Sequence, residues 1–199
     1  FCDIRGFTAL LDERDPEEAW KLTASVVAVL GGEVERFGGV VDKFTGDGFL
    51  AHYNFSNDMA DHVSAACRTA LGLRNKLVEL NRDRYFEIES VINIGIAISF
   101  RVAAFGTLQT KQLVQTTIMG DAVNLAAQIE NMTKYFMVDI LLSEASFRSV
   151  EDQSDSKQID ATRMIYGQSL TPVEGFLHRD RDKGPTGRIE ADNLRGPKA

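Results

Sequence analysis

The stretch VVDKFTGDGFLAHY, residues 40–53, reads as a β-hairpin. Val40 and Val41 lead in, Phe49, Leu50 and Ala51 lead out, and Thr45-Gly46-Asp47-Gly48 carries the turn chemistry between them. A carboxylate therefore sits at the tip and Lys43 stands just before it. Taken alone, Asp47 reads as a turn residue and Lys43 as a solvated edge charge.

The segments on either side supply the hairpin's partners. Upstream, after Pro16, apolar residues recur at helical spacing: Ala19, Leu22, Val26, Val29, Leu30, Val34 and Phe37. Gly31 and Gly32 interrupt that helix and Gly38-Gly39 closes it. Downstream a second helix is expected over Asp58 to Leu80, with Ala65, Ala66, Ala70, Leu73 and Leu77 on one side. FEIESVINIGIAISF then reads as a long strand that becomes buried on both faces. RVAAFG and LVQTTIM suggest a strand pair, and GDAVNLAAQIENM opens a helix at Asp121. VDILLS reads as a strand, EASFRSV as a short helix and TPVEGFLH as a last strand, before a polar tail over residues 179–199.

At 199 residues the chain suits one domain, residues 1–178, able to bury a core without disulfide or metal staples. A formal net charge of -7 with no dense Lys/Arg block gives no electrostatic footprint for nucleic acid. Cys2 and Cys67 lie far apart in the sequence, which favours a reducing compartment. His52, His62 and His178 match no triad or metal spacing and are expected at the surface or half-buried. No apolar run approaches the roughly 20 residues of a membrane helix. The first residues, FCDIRGFTALLDERD, start inside a strand-like run without methionine, as expected of a piece cut from a longer protein. That leaves room for a membrane or sensor segment upstream.

The order strand, helix, hairpin, helix, strand matches a βαββαβ arrangement, with two helices over one face of an antiparallel sheet. In it the end of the first strand lies beside the hairpin, bringing Asp3 near Asp47. Two neighbouring carboxylates are costly to hold together without a cation, and all-oxygen ligation suits Mg²⁺ or Mn²⁺. Next to Asp3, RGFT leads into a helix start whose free N–H groups suit phosphates, with Gly6 allowing close approach. A cation site beside a phosphate cradle points to phosphoryl transfer.

FCDIRGFT, VVDKFTGDGFLA and TTIMGDAVNLAAQIE, in this order and spacing, resemble the catalytic domain of class III nucleotidyl cyclases, the adenylate and guanylate cyclases. The likeness covers roughly residues 1 to 145 and fades after that. It implies an α+β fold with a ferredoxin-like βαββαβ core, extended by C-terminal strands. It implies two metal ions per site, held by Asp3 and Asp47 with help from the Ile4 carbonyl. Gly6, Phe7 and Thr8 match the backbone cradle for the phosphates, and Asn124 the asparagine that orients the ribose. Lys43 and Thr117 fall where adenylate cyclases read the purine, whereas guanylate cyclases carry glutamate in place of that lysine. ATP is therefore the expected substrate and cyclic AMP the expected product. A lysine donates to a ring nitrogen, while a threonine hydroxyl accepts from or donates to the base edge. Family sites lie between two subunits, so a homodimer with composite sites is expected, in the cytoplasm, as the output domain of a larger signalling protein.

Three departures from the family pattern bear on activity. Gln128 stands where the family has a transition-state arginine, and a neutral amide supplies no positive charge. Tyr166 or Gln168 stands near the position of a late triphosphate-binding lysine. Phe100 and Arg101 add bulk after the long central strand, where Arg101 is either a replacement phosphate contact or an interface or surface charge. These departures support a rival expectation, a weak or inactive cyclase-like module with a regulatory or dimerising role, including a heterodimer with a competent partner that supplies the missing arginine.

Overall fold

The computed structural model describes residues 1–152 except 12–13, 56–57, 87 and 89, together with 165–166. In chain order, β1 is Cys2–Ile4, α1 Phe7–Leu11, α2 Pro16–Arg36, β2 Val40–Phe44, β3 Gly48–His52 and α3 His62–Arg82. They are followed by β4 Ile94–Ile98, β5 Ala104–Gln109, β6 Val114–Met119, α4 Asp121–Phe136, β7 Ile140–Leu142, α5 Glu144–Asp152 and β8 Ile165–Tyr166. The expected strand at TPVEGFLH, the tail and Gln168 lie outside the described residues.

The main sheet runs β2-β3-β1-β4-β7-β8. Its first four strands pair antiparallel in the order of a βαββαβ unit, as the sequence led us to expect. Alternation along β4 divides the core. Ile94, Ile96 and Ile98 join Cys2, Ile4 and Phe49 beneath Leu22, Val26 and Leu30 of α2 and Cys67, Ala70 and Leu73 of α3. Ala97 points the other way, with Leu141, against Ile129 of α4. So α2 and α3 share one face, while α4 covers the opposite one. β7 runs parallel to β4 and β8 parallel to β7, so the outer half of the sheet departs from the antiparallel pattern of the core.

Asp15 caps α2 by accepting from the Glu17 N–H at 2.9 Å, ahead of Pro16 in the first turn. The glycines inside α2 do not break it. Gly31 is buried where α2 approaches β2, and a Cβ there would sit 3.7 Å from Val41 Cγ2.

Two expected boundaries move. The second helix starts at His62 rather than Asp58 and runs on to Arg82. The long central strand is shorter than its apolar run: only Ile94–Ile98 joins the sheet. Ile92 is buried, but its backbone is satisfied by a side chain instead of a strand. Asn81 Nδ2 donates to the Ile92 carbonyl at 2.7 Å, and the Ile92 N–H donates to Asn81 Oδ1 at 3.0 Å. His52 also differs from expectation, being buried against Phe55 and Phe105 with ring centroids 5.3 and 5.6 Å away.

β5 and β6 form a separate two-stranded ribbon in register from Ala104↔Met119 to Gln109↔Val114. It leaves Phe105, Leu108, Leu113, Val114 and Met119 exposed. Gly120, at φ +137°, makes the turn from β6 into α4.

Candidate active site

The hairpin and β1 bring the two predicted carboxylates together. Asp3 is paired with Gly48 across β1 and β3, and the Ile4 N–H donates to the Asp47 carbonyl at 3.1 Å. Gly48 has no room for a side chain: a Cβ would stand 2.3 Å from the Cys2 carbonyl oxygen and 3.0 Å from Asp3 Oδ1. The Asp47 carboxyl is held above the usual carboxylate range, first by burial and then by its hydrogen bond to Asp3 and the charge of Asp3.

A cation from α4 answers part of that charge. Lys134 Nζ donates to Asp3 Oδ2 at 2.6 Å and stands 3.8 Å from Glu130 Oε2. The neighbouring Asp3 is the largest cause of the raised Lys134 ammonium value. Burial, followed by the charge of Asp3, pushes the Glu130 carboxyl up, and Glu130 Oε1 is buried without a hydrogen-bond partner among the described residues. Arg5 fixes the same end of α4, donating from Nε to the Ile94 carbonyl at 3.1 Å and from Nη2 to the Thr133 carbonyl at 3.3 Å. It also bonds the Val138 carbonyl just past the helix, so a guanidinium meets the C-terminal end of α4. Lys134 and Arg5 were not singled out from the sequence: Lys134 lies 131 residues from Asp3, and the acceptors of Arg5 lie 89 and 128 residues away.

Gly6 stands at φ +63° and opens α1, followed by Phe7, which is buried, and Thr8, which is exposed. A Cβ on Gly6 would meet nothing within 4 Å, so the space beside the Asp3 turn is open. α1 begins three residues after Ile4, and its first N–H groups have no acceptor within the helix. The donors near Asp3 and Asp47 are all oxygens, which fits a hard divalent cation. Among the described residues no group of three or more His, Cys, Asp or Glu side chains is placed to hold a metal, so such an ion would take further ligands from elsewhere.

A second cluster forms on β2 and β6. Lys43 Nζ donates to Thr117 Oγ1 at 2.8 Å, and Thr117 Oγ1 donates to Asp42 Oδ2 at 2.7 Å. Asp42 Oδ1 accepts the Ile118 N–H at 3.1 Å. Thr117 is 2 % exposed. The Lys43 side chain keeps 34 % of its surface against 1 % for Asp42, so the ammonium is the solvent-facing member. Among the described residues no hydrogen bond or ion pair joins this cluster to the Asp3 and Asp47 cluster. Asp42 is a further residue that sequence reasoning missed, since it reads there as one more polar position in a strand.

Asn124 and Gln128 are exposed one turn apart on α4. Phe100 stacks on His62 at 5.3 Å. Arg101 follows the end of β4, whereas Asp3 pairs with Gly95 near its start, so the two lie at opposite ends of the strand in one protomer. A cavity of about 390 Å³ opens at that far end, among Val63 and Leu73 of α3, Ile98 of β4 and Val123 and Ala126 of α4. It is mostly apolar and its lining includes neither cluster.

Residues 1–170 match the family model described as the adenylate and guanylate cyclase catalytic domain. The chain is 29 % identical over 154 residues to an adenylate cyclase of Anabaena cylindrica, covering 75 % of this chain and 30 % of that protein. It is 28 % identical over 152 residues to adenylate cyclase 1 of Rhizobium meliloti, covering 76 % and 23 %. The chain thus spans less than a third of the length of these relatives. Its fold is similar to that of the adenylyl cyclase CyaB from P. aeruginosa, with a TM-score of 0.63, 24 % identity and coverage of 76 % and 78 %. It is also similar to a guanylate cyclase domain from Catenaria anguillulae in complex with GTP, with a TM-score of 0.64, 18 % identity and coverage of 87 % and 86 %.

Proposed function

Because the chain belongs to the adenylate and guanylate cyclase catalytic-domain family, we propose that it converts ATP to 3′,5′-cyclic AMP and pyrophosphate. The observation that carries the reading is the Lys43–Thr117 hydrogen bond of 2.8 Å, which supports a pair of side chains acting together on the base. Lysine offers donors only, and the ring nitrogen N1 of adenine accepts.

In this reading Asp3 and Asp47 hold Mg²⁺ or Mn²⁺ with the Ile4 carbonyl. When bound, the ions activate the ribose 3′-hydroxyl and neutralise charge on the triphosphate. The 3′-oxygen bonds to the α-phosphorus as the bond to the pyrophosphate oxygen breaks. Gly6, Phe7 and Thr8 offer backbone N–H groups to the phosphates, Asn124 orients the ribose and Lys43 binds the base. Each chain carries both clusters with no direct bond between them, which supports a homodimer in which one subunit's carboxylates meet the partner's Lys43 and Asn124. The short span against its relatives supports an output module within a longer signalling protein.

Gln128 favours a second reading, a regulatory module with weak or no turnover, because an amide in place of a cation forfeits several kcal/mol of transition-state stabilisation. Cyclic nucleotide production from ATP and GTP, in Mg²⁺ and in Mn²⁺, separates the two. ATP turnover that rises per chain with protein concentration and vanishes in Asp47→Asn supports the enzyme. Silence with both nucleotides, relieved by Gln128→Arg, supports the module. Better turnover of GTP sinks the adenine assignment.

A further inference from the structure

Asp42 and Lys43 are consecutive, yet both reach Thr117. In a regular strand they would point to opposite faces. The register of β2 against β3 shifts between Val41 and Lys43, and that irregularity turns both side chains to the same partner.

The Thr117 hydroxyl has one proton and two lone pairs. Asp42 Oδ2 lies 2.7 Å away, whereas the Ile118 carbonyl lies 3.5 Å away, so the proton goes to Asp42. Thr117 Oγ1 is thereby left as an acceptor, and Lys43 Nζ donates to it at 2.8 Å. Asp42 Oδ2 also stands 3.5 Å from Nζ, and its other oxygen is anchored by the Ile118 N–H at 3.1 Å.

We infer that Asp42 is a positioning residue for base selection: by taking the Thr117 proton it leaves Thr117 an acceptor that fixes the Lys43 ammonium in place, with its remaining donors towards the purine. The inference rests on the purine-reading assignment of Lys43 made above. A fixed ammonium matches the N1 acceptor of adenine and opposes the N1–H of guanine. Without the Asp42 acceptor the hydroxyl proton is free to turn and the ammonium to move onto the guanine O6 acceptor, and discrimination narrows.

The test is displacement of a fluorescent ATP analogue from the purified chain in Mn²⁺ by ATP and by GTP, with a thermal melt of each variant. In Asp42→Asn the amide oxygen still accepts the Ile118 N–H, and its NH₂ faces Thr117 and no longer takes the proton. The preference for ATP over GTP is expected to fall about tenfold, the equivalent of one hydrogen bond. Asp42→Ala, which removes the acceptor, should show the same fall and Asp42→Glu, which keeps one for the Thr117 proton, should keep the preference, which decides the matter if Asp42→Asn fails to fold. An unchanged ratio, or equal weakening of both nucleotides with a lower melting temperature, overturns the inference. A wild-type chain that binds ATP and GTP alike overturns the adenine reading itself, and the inference with it.

Discussion

Lys134 donates to Asp3 at 2.6 Å, joining α4 to β1 across 131 residues of sequence. The ammonium is bonded to one of the two oxygens that Asp3 would offer a divalent cation, so the two cations compete for that carboxylate. Lys134 is about half exposed and the ion pair is worth only about 0.5–1 kcal/mol. Lys134→Met is therefore expected to tighten Mn²⁺ binding roughly two- to fivefold. Titration followed by the electron paramagnetic resonance of free Mn²⁺ measures this directly, and unchanged affinity would remove Lys134 from the account.

The Asp47 carboxyl gives a pH-dependent consequence. Its folded value is raised by burial and by Asp3, so the folded state binds its proton more tightly than the unfolded chain does. Stability from this group therefore declines as pH rises above the unfolded value of about 3.9, and the penalty is complete above the raised folded value. In EDTA, Asp47→Asn is expected to melt above the wild type at neutral pH, with the gap closing towards about pH 4. Thermal melts across that range check the sign.

His52 titrates in the opposite sense. Burial lowers its value against a smaller opposing effect from Asp42. The neutral ring is favoured in the folded state, so its contribution holds above the unfolded value of about 6.5 and is lost as pH falls through it. His52→Gln should flatten the part of the acid-stability profile that begins there, as read from denaturant midpoints.

Gly48 is the steric key to the carboxylate pair. An added methyl meets backbone atoms of Cys2 and Asp3 at 2.3 and 3.0 Å, and backbone cannot step aside as a flexible side chain does. Gly48→Ala is expected to cost about 1–3 kcal/mol by urea denaturation and to reduce Mn²⁺ affinity together with stability.

Both thiols are predicted to be inert in the native protein. Burial pushes Cys2 and Cys67 up to about 12, leaving almost no thiolate at neutral pH. Iodoacetamide should label neither until denaturant is added, as mass spectrometry would read.

The sequence made legible what depends on local periodicity and turn chemistry. Asp47 at the hairpin tip, the strand and helix order and the approach of Asp3 all follow from it. The start of the long central strand did not, because Asn81 supplies Ile92 with hydrogen bonds that resemble a strand's only in three dimensions. Asp42 was hidden by alternation, which assigns it the face opposite Lys43 until the register shift is seen. Lys134 was hidden by distance, since only the packing of α4 on β4 and β7 brings it to β1, and Arg5, though it follows β1 directly, was hidden because its acceptors at Ile94, Thr133 and Val138 lie far along the chain.

If each site takes its metal half from one subunit and its nucleotide half from the other, variants damaged in different halves restore one another when mixed. The most direct measurement is ATP turnover by Asp47→Asn, by Asn124→Ala and by their equimolar mixture, beside the wild type. Each variant alone should be nearly silent. With random pairing, half of the dimers carry one intact site of two, so the mixture should recover about a quarter of wild-type turnover. A mixture as silent as its components, beside an active wild type, would contradict the account.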